Sequence, residues 1–218
     1  MNNAPQPTNR LLWLGLGFTA ALLVLAFLLA TLKMGAALGK PLQVYGQVAS
    51  FTLTNQDGRP ISLSDLRGKV WVADIIFTRC PGPCLKMTRQ MAELQATLPA
   101  NSQAKLVSLT TDPAFDAPPV LRTYAQRFGA DFNRWMFLTG TPKQIASLAI
   151  DSLKLTAIEK KPEERESPAD LFVHSTIFVV IDKHGQLRGI FETTGDGVDP
   201  VRTKHELLSA VKRLERES

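Results

Sequence analysis

Cysteine is nearly missing from this chain: 218 residues contain two, Cys80 and Cys84. That is too few for the disulfide framework of a small secreted domain. Histidine is almost as scarce, with three, so a site that needs imidazole has few candidates. No concentrated basic stripe with aromatic neighbours occurs. The formal charge of +5 is spread along the whole length, which speaks against a nucleic-acid binder. There are no internal repeats. Charge is absent altogether from residues 11–32, LLWLGLGFTAALLVLAFLLATL, and so is proline.

That uncharged run is long enough to cross a bilayer as a helix, which takes about 20 apolar residues. A cleaved signal peptide has a shorter apolar core, about 7–15 residues. The length favours an uncleaved anchor, although MGAALG at 34–39 offers a cleavage site. Lys and Arg counts leave the orientation open: Arg10 stands on the leading side, Lys33 and Lys40 on the trailing side. The rest of the chain is ordinary for a globular protein, with 44% hydrophobic and 21% charged residues. Its length accommodates an appendage and one full domain. The expected organisation is a polar tail over 1–10, a transmembrane helix over 11–32, a tether over 33–47 and a folded domain over 48–218.

Within the domain, SFTLTNQDGRPISL alternates around a turn at Asn55–Gly58, a hairpin pattern. VWVADIIFT (70–78) is the nearly all-apolar run of a strand covered on both faces. CLKMTRQMAELQATL (84–98) sets Leu85, Met87, Met91, Leu94 and Leu98 at helical spacing. KLVSLTTD (105–112) predicts a second buried strand, APPVLRTYAQRFG (117–129) a helix, and WMFLTG (135–140) a short strand. TPKQIASLAID (141–151) predicts a helix capped by Thr141, with Pro142 in its first turn. EKKPEERESPAD (159–170) has no periodicity and predicts a solvated loop. LFVHSTIFVVID (171–182) predicts a strand, KHGQ a turn, LRGIFET the partner strand, and 199–215 a closing helix. Alternating strands and helices predict an α/β fold with a mostly parallel central sheet covered on both faces.

The two cysteines stand in IIFTRCPGPCLKM, between the first central strand and its helix. Ligands in such sheets bind beyond the carboxyl ends of strands. Helix N-termini favour anions, so both thiols are expected to have depressed pKa values. Arg79 and Lys86 add positive charge. These features serve a nucleophile and a metal ligand equally. Three intervening residues, rather than the two of a dithiol reductase motif, widen the bite. Soft thiolates suit copper(I), and imidazole suits copper in either state. His174 stands at the front of a strand on the side expected to face the cysteines. His184 falls in a turn and His205 in the closing helix, where ordinary surface roles account for them. A purely structural disulfide closing so short a loop would contribute only roughly 2 kcal/mol.

VWVADIIFTRCPGPCLKM resembles the signature of the Sco/SenC family, copper-delivery proteins of respiratory oxidase assembly. KLVSLTTDPAFDAPPVLRTYAQRFGAD, WMFLTG and FVHSTIFVVIDKHGQLRGIFE match in the same order, so that the resemblance covers roughly residues 48–215. It implies a thioredoxin-like fold on one membrane anchor. It also implies a cytoplasmic tail over 1–10 and a domain in the bacterial periplasm, or in the intermembrane space if the membrane is mitochondrial. Carried over, the copper ligands are Cys80, Cys84 and His174, and Asp112 matches an acidic position behind them. The implied partner is a copper-receiving oxidase subunit, with the protein itself a monomer and no nucleic acid bound. Two residues depart from the pattern. Leu85 stands where many relatives have proline, and Val173 where many have aspartate. A lost carboxylate beside an imidazole alters its basicity.

Two further readings stay open. One is a membrane-anchored thiol–disulfide reductase in which Cys80 attacks and Cys84 resolves. Against it, the place of the usual thioredoxin cis-proline reads Val173-His174-Ser175-Thr176. The other is a binding module with a permanent disulfide.

Overall fold

The computed structural model describes residues 10–38, 41–80, 82–165, 171–195 and 197–217, with the side chains of 10–12, 31–38, 157 and 174 outside that description. The chain divides into two units, Met1–Pro41 and Leu42–Ser218. In the first, α1 (Arg10–Leu38) is a single helix. Its stretch Trp13–Ala30 is long and apolar enough to cross a membrane. The expected tail over 1–10 falls, apart from Arg10, outside the described residues.

The tether expected over 33–47 is corrected at both ends. Its first residues continue α1 to Leu38, and its last belong to the domain. β1 (Gly46–Gln47) pairs with β10 (Gln186–Glu192). The Leu42 carbonyl accepts from Arg188 Nη2 at 2.9 Å. Backbone pairing and a buried arginine, neither visible as periodicity, bring the domain boundary forward.

The remaining strands are β2 (Thr52–Asn55), β3 (Pro60–Ser62), β4 (Trp71–Ile76), β5 (Lys105–Thr110), β6 (Trp135–Thr139), β7 (Ala157–Glu159), β8 (Phe172–His174) and β9 (Ile177–Ile181). Among the described residues eight strands form one sheet, ordered β1-β10-β9-β4-β5-β6-β2-β3. Its centre, β4–β5–β6, is parallel. The flanking strands are antiparallel, because they arrive through hairpins or returning connections rather than crossover helices. In the β2–β3 turn, Asn55 Oδ1 accepts from the N–H groups of Asp57 and Arg59. Gly58 there takes φ +73°, which favours glycine.

The helices are α2 (Leu63–Leu66), α3 (Pro83–Thr97), α4 (Pro118–Arg127), α5 (Pro142–Ala146) and α6 (Pro200–Arg216), with a π-helical turn over Ser147–Ser152 extending α5. Thr141 caps α5 as predicted, accepting from the Gln144 N–H. Strand alternation divides β4 between two cores. Trp71, Ala73 and Ile75 join Leu63 and Leu66 of α2 and Ile145 of α5. Val72 and Ile76 join Met87, Met91 and Leu94 of α3, Leu121 of α4, and Leu207 and Val211 of α6. Cys80 and Cys84 belong to this second core. The result is the thioredoxin-like arrangement that the sequence predicts.

The single strand predicted over 171–182 is two. Residues 172–174 pair with β7 in a separate two-stranded sheet, and 177–181 pair with β10 and β4. Ser175 and Thr176 make the break. The Ser175 N–H donates to Thr156 O, and Thr176 O accepts from the Thr193 N–H. Part of the loop predicted over 159–170 is ordered by the same pairing, while 166–170 lie outside the described residues.

Candidate metal centre

β4 runs straight into the cysteine loop. The Cys80 N–H donates to Phe77 O at 3.2 Å, which turns the chain after Thr78 and Arg79. Gly82 caps α3, and Pro83 occupies its first position, where a missing N–H does no harm. Pro81 lies outside the described residues. Cys84 follows as an early residue of α3 and is completely buried, while Cys80 retains 6% exposure. The thiols are not bridged; they hydrogen-bond one another, and the Phe77 backbone also reaches Cys84.

The expected depression of both pKa values is corrected for Cys84. Burial pushes its thiol far up, and the neighbouring Cys80 pushes it further. The thiol opens a helix but lies inside the core, where desolvation of a thiolate outweighs the helix dipole. Pro83 also withholds one N–H donor at that end. In the metal-free protein Cys84 is therefore a neutral thiol at neutral pH.

Asp112 follows β5, at 7% exposure. Its Oδ2 is paired with both Arg79 Nη2 and Arg79 Nε, the latter at 3.1 Å. The Arg79 guanidinium lies 4.2 Å from the centroid of the Phe115 ring. Asp112 also anchors the next turn through its backbone carbonyl, which accepts from the Phe115 and Asp116 N–H groups. Its carboxylate thus holds the residue before Cys80.

Three further buried polar groups, Asp116, Asp74 and Tyr124, carry no periodic signal in the sequence. Asp116 has no exposure, and its carboxylate accepts from the Thr78 N–H and from the hydroxyls of Thr78 and Thr110. It fixes the end of β4 to the end of β5. Burial raises its pKa, opposed by those hydrogen bonds. Asp74 is fully buried in β4, at the parity of Val72 and Ile76 and near both Cys84 and Tyr124. Tyr124 hydrogen-bonds Thr88 at 2.8 Å, and Thr88 donates to Cys84 O at 2.8 Å. The signal for Asp74 is a lone carboxylate in an otherwise apolar strand. For Asp116 it is the second acid of DPAFD.

The third predicted ligand is placed by its backbone alone. β8 ends at His174, paired with Ala157; the side chain of His174 lies outside the described residues. Two positions earlier, the Phe172 ring meets Phe77 edge-on, centroids 5.2 Å apart. Leu171 and Phe172 also pack on the core that contains both cysteines. β8 is thereby brought to the cysteine loop. His184 and His205 are exposed, and His184 lies in a turn held by Asp182. Among the described residues no three His, Cys, Asp or Glu side chains converge; Cys80 and Cys84 are soft donor types.

Known proteins share this framework. The SCO1/SenC family model matches residues 41–209. The SCO1 protein homolog of Bacillus subtilis (strain 168) is 38% identical over 173 residues, covering 78% of this chain and 84% of its own. The solved structure of BsSco, described as a member of the Sco family of cytochrome c oxidase assembly proteins with a disulfide switch, is 32% identical. It has a TM-score of 0.67 and covers 81% of this chain and 98% of its own. Bradyrhizobium japonicum ScoI with copper bound has a TM-score of 0.63 at 21% identity, a likeness of fold that covers 77% of this chain and 99% of that one.

Proposed function

The chain belongs to the SCO1/SenC family, and from this premise we propose that it is a membrane-anchored copper metallochaperone. Cys80, Cys84 and His174 hold the ion and pass it to the binuclear copper site of a respiratory oxidase subunit. In this reading α1 is an uncleaved single-pass anchor, the tail lies in the cytoplasm, and the domain works as a monomer outside it. The observation that carries the reading is the pair of buried, unbridged thiols at the carboxyl end of the central strand. The Phe172–Phe77 contact, which draws β8 to the same end, supports His174 as the third ligand.

The chemistry follows from the burial. Two thiols in a water-poor core favour a soft ion such as copper(I), whose binding displaces the thiol protons. Cys84, neutral when no metal is bound, becomes a thiolate only with the ion in place. Cys80, the less buried of the two, is the ligand that a recipient reaches first. Arg79, held by Asp112, fixes the chain on the approach to Cys80.

The disulfide switch described for BsSco favours a second reading, reduction of a partner's cysteines. The Cys80 thiolate would attack the partner disulfide to form a mixed disulfide. Cys84 would then displace the partner thiolate, leaving a Cys80–Cys84 disulfide and two reduced partner thiols. Both electrons come from the two thiols of this chain.

The deciding experiment titrates copper(I) against a competing chelator, without oxygen, on the reduced full-length protein in detergent. Wild type, Cys80→Ser, Cys84→Ser and His174→Ala are compared. Tight one-to-one binding that collapses in all three variants is the expected result. Weak binding indifferent to His174 would turn attention to the reductase, measured as partner-disulfide turnover lost in Cys80→Ser.

A further inference from the structure

α3 and α6 enclose a cavity of about 340 Å³, apart from the thiol centre. It lies at the small end of the range of ligand sites, about 300–1,000 Å³. Its floor is apolar: Leu94, Phe178 and Leu207, all buried. Lys86, Arg89 and Lys204 line it as well. Lys204 is engaged by Glu93 at 2.9 Å. Lys86 and Arg89 are exposed and make no ion pair among the described residues. They stand three apart on α3, on neighbouring turns of one face. Val201, 63% exposed, adds an apolar group to the lining.

This cavity starts close to the cysteines. Lys86 is two residues beyond Cys84 and Gln90 six, so it begins within about 9 Å of Cys84 along the axis of α3. Arg89 and Glu93 also line an adjoining hollow that reaches Leu85, the residue after Cys84. The two hollows share Arg89 and Glu93, so a continuous surface runs along α3 from the cavity to Leu85.

We propose that this cavity is a docking socket for a segment of a partner polypeptide that carries an apolar side chain flanked by carboxylates. The apolar floor takes the side chain, and the exposed Lys86 and Arg89 take the carboxylates, which supplies both anchor and orientation. A partner seated there lies within about two helical turns of Cys84 along α3. The inference rests on the delivery reading only in making that partner the copper-exchanging protein; the cavity and its charges stand without it.

The test uses the full-length protein in uncharged detergent micelles. The probe is a fluorescein-labelled hexapeptide with Leu-Phe at its centre and two carboxylates on either side. Binding is expected to weaken as salt rises and to shift the methyl resonances of Leu94 and Leu207. The double variant Lys86→Glu/Arg89→Glu, changed only at exposed positions, is expected to weaken it by at least about tenfold, and Val201→Asp to weaken it as well. The amide analogue of the peptide should not bind. Copper(I) affinity of Arg89→Glu alone should stay within about threefold of wild type, since an exposed charge is screened. Cys84→Ser should lose copper but keep the peptide, so that failure of docking and failure of the metal reading are separately visible. Peptide binding that ignores the charge reversal, or no binding at millimolar peptide, overturns the proposal. So does a result in which dioctanoyl phosphatidylglycerol, and not the peptide, shifts Leu94 and Leu207 in a manner dependent on Lys86 and Arg89.

Discussion

The two faces of β4 carry opposite kinds of core. On one, Trp71, Ala73 and Ile75 meet Leu63 and Leu66 of α2 and Ile145 of α5. On the other, alternate positions of the same strand lie with two thiols, and Asp74 occurs at that parity. The Thr88–Tyr124 pair crosses this side between α3 and α4, and Asp116 clamps its rim. One face secures the fold. The other accepts the cost of buried polar groups at the end where the cysteine loop leaves the strand. A strand of six residues, at period two, is enough to keep these tasks apart.

The comparison breaks most severely on the apolar face. Trp71→Ala is expected to lower stability by about 3–5 kcal/mol, read by urea unfolding, with no remedy from metal. On the thiol face, loading with copper(I) at about a thousandfold above its dissociation constant is expected to raise stability by about 4 kcal/mol. A chelator should reverse the gain and Cys84→Ser should abolish it. Because the ion displaces thiol protons, and burial holds Cys84 protonated through neutral pH, acid opposes binding. The apparent affinity should fall about tenfold per pH unit for each proton displaced, measured by chelator competition at several pH values.

Smaller effects sharpen the same contrast. Tyr124→Phe removes one buried hydrogen bond to Thr88 and should cost about 1 kcal/mol, leaving the apolar face untouched. Asp116→Asn tests the rim by its pH dependence. Burial raises the folded-state pKa of Asp116, so its favourable contribution is complete below its unfolded value and is lost as pH rises through the folded one. The stability difference, wild type minus variant, should therefore decline from about pH 4 upward, measured by urea unfolding at a series of pH values.

Much of this was legible in the sequence because it depends on period and spacing. β4, α3, β5, α4, β6 and α6 appear where their apolar patterns predict. The cysteine loop falls at the strand-to-helix junction for the same reason. What stayed hidden depends on long-range partners. β8 separates from β9 because Ser175 and Thr156 are joined across nineteen positions, which no local pattern encodes. The domain begins earlier than its apolar alternation because Arg188 reaches Leu42. Cys84 reverses the expected pKa because its depth in the core, rather than its place at a helix start, sets its solvation. The packing of Phe172 on Phe77, which draws β8 to the end of β4, is likewise a long-range contact that no local pattern encodes.

Arg188 has a further consequence. Its guanidinium gathers the Leu42 carbonyl, the Asp182 carboxylate and Glu217 of the last turn. Asp182 follows Ile181, which is paired with Trp71 at the start of β4. Leu42 and Glu217 are thus stapled together at one pole of the sheet, and the buried thiols lie beyond the other, about 20 Å away along β4. A load borne at Leu42 or at Glu217 is taken up by Arg188 and does not run through β4.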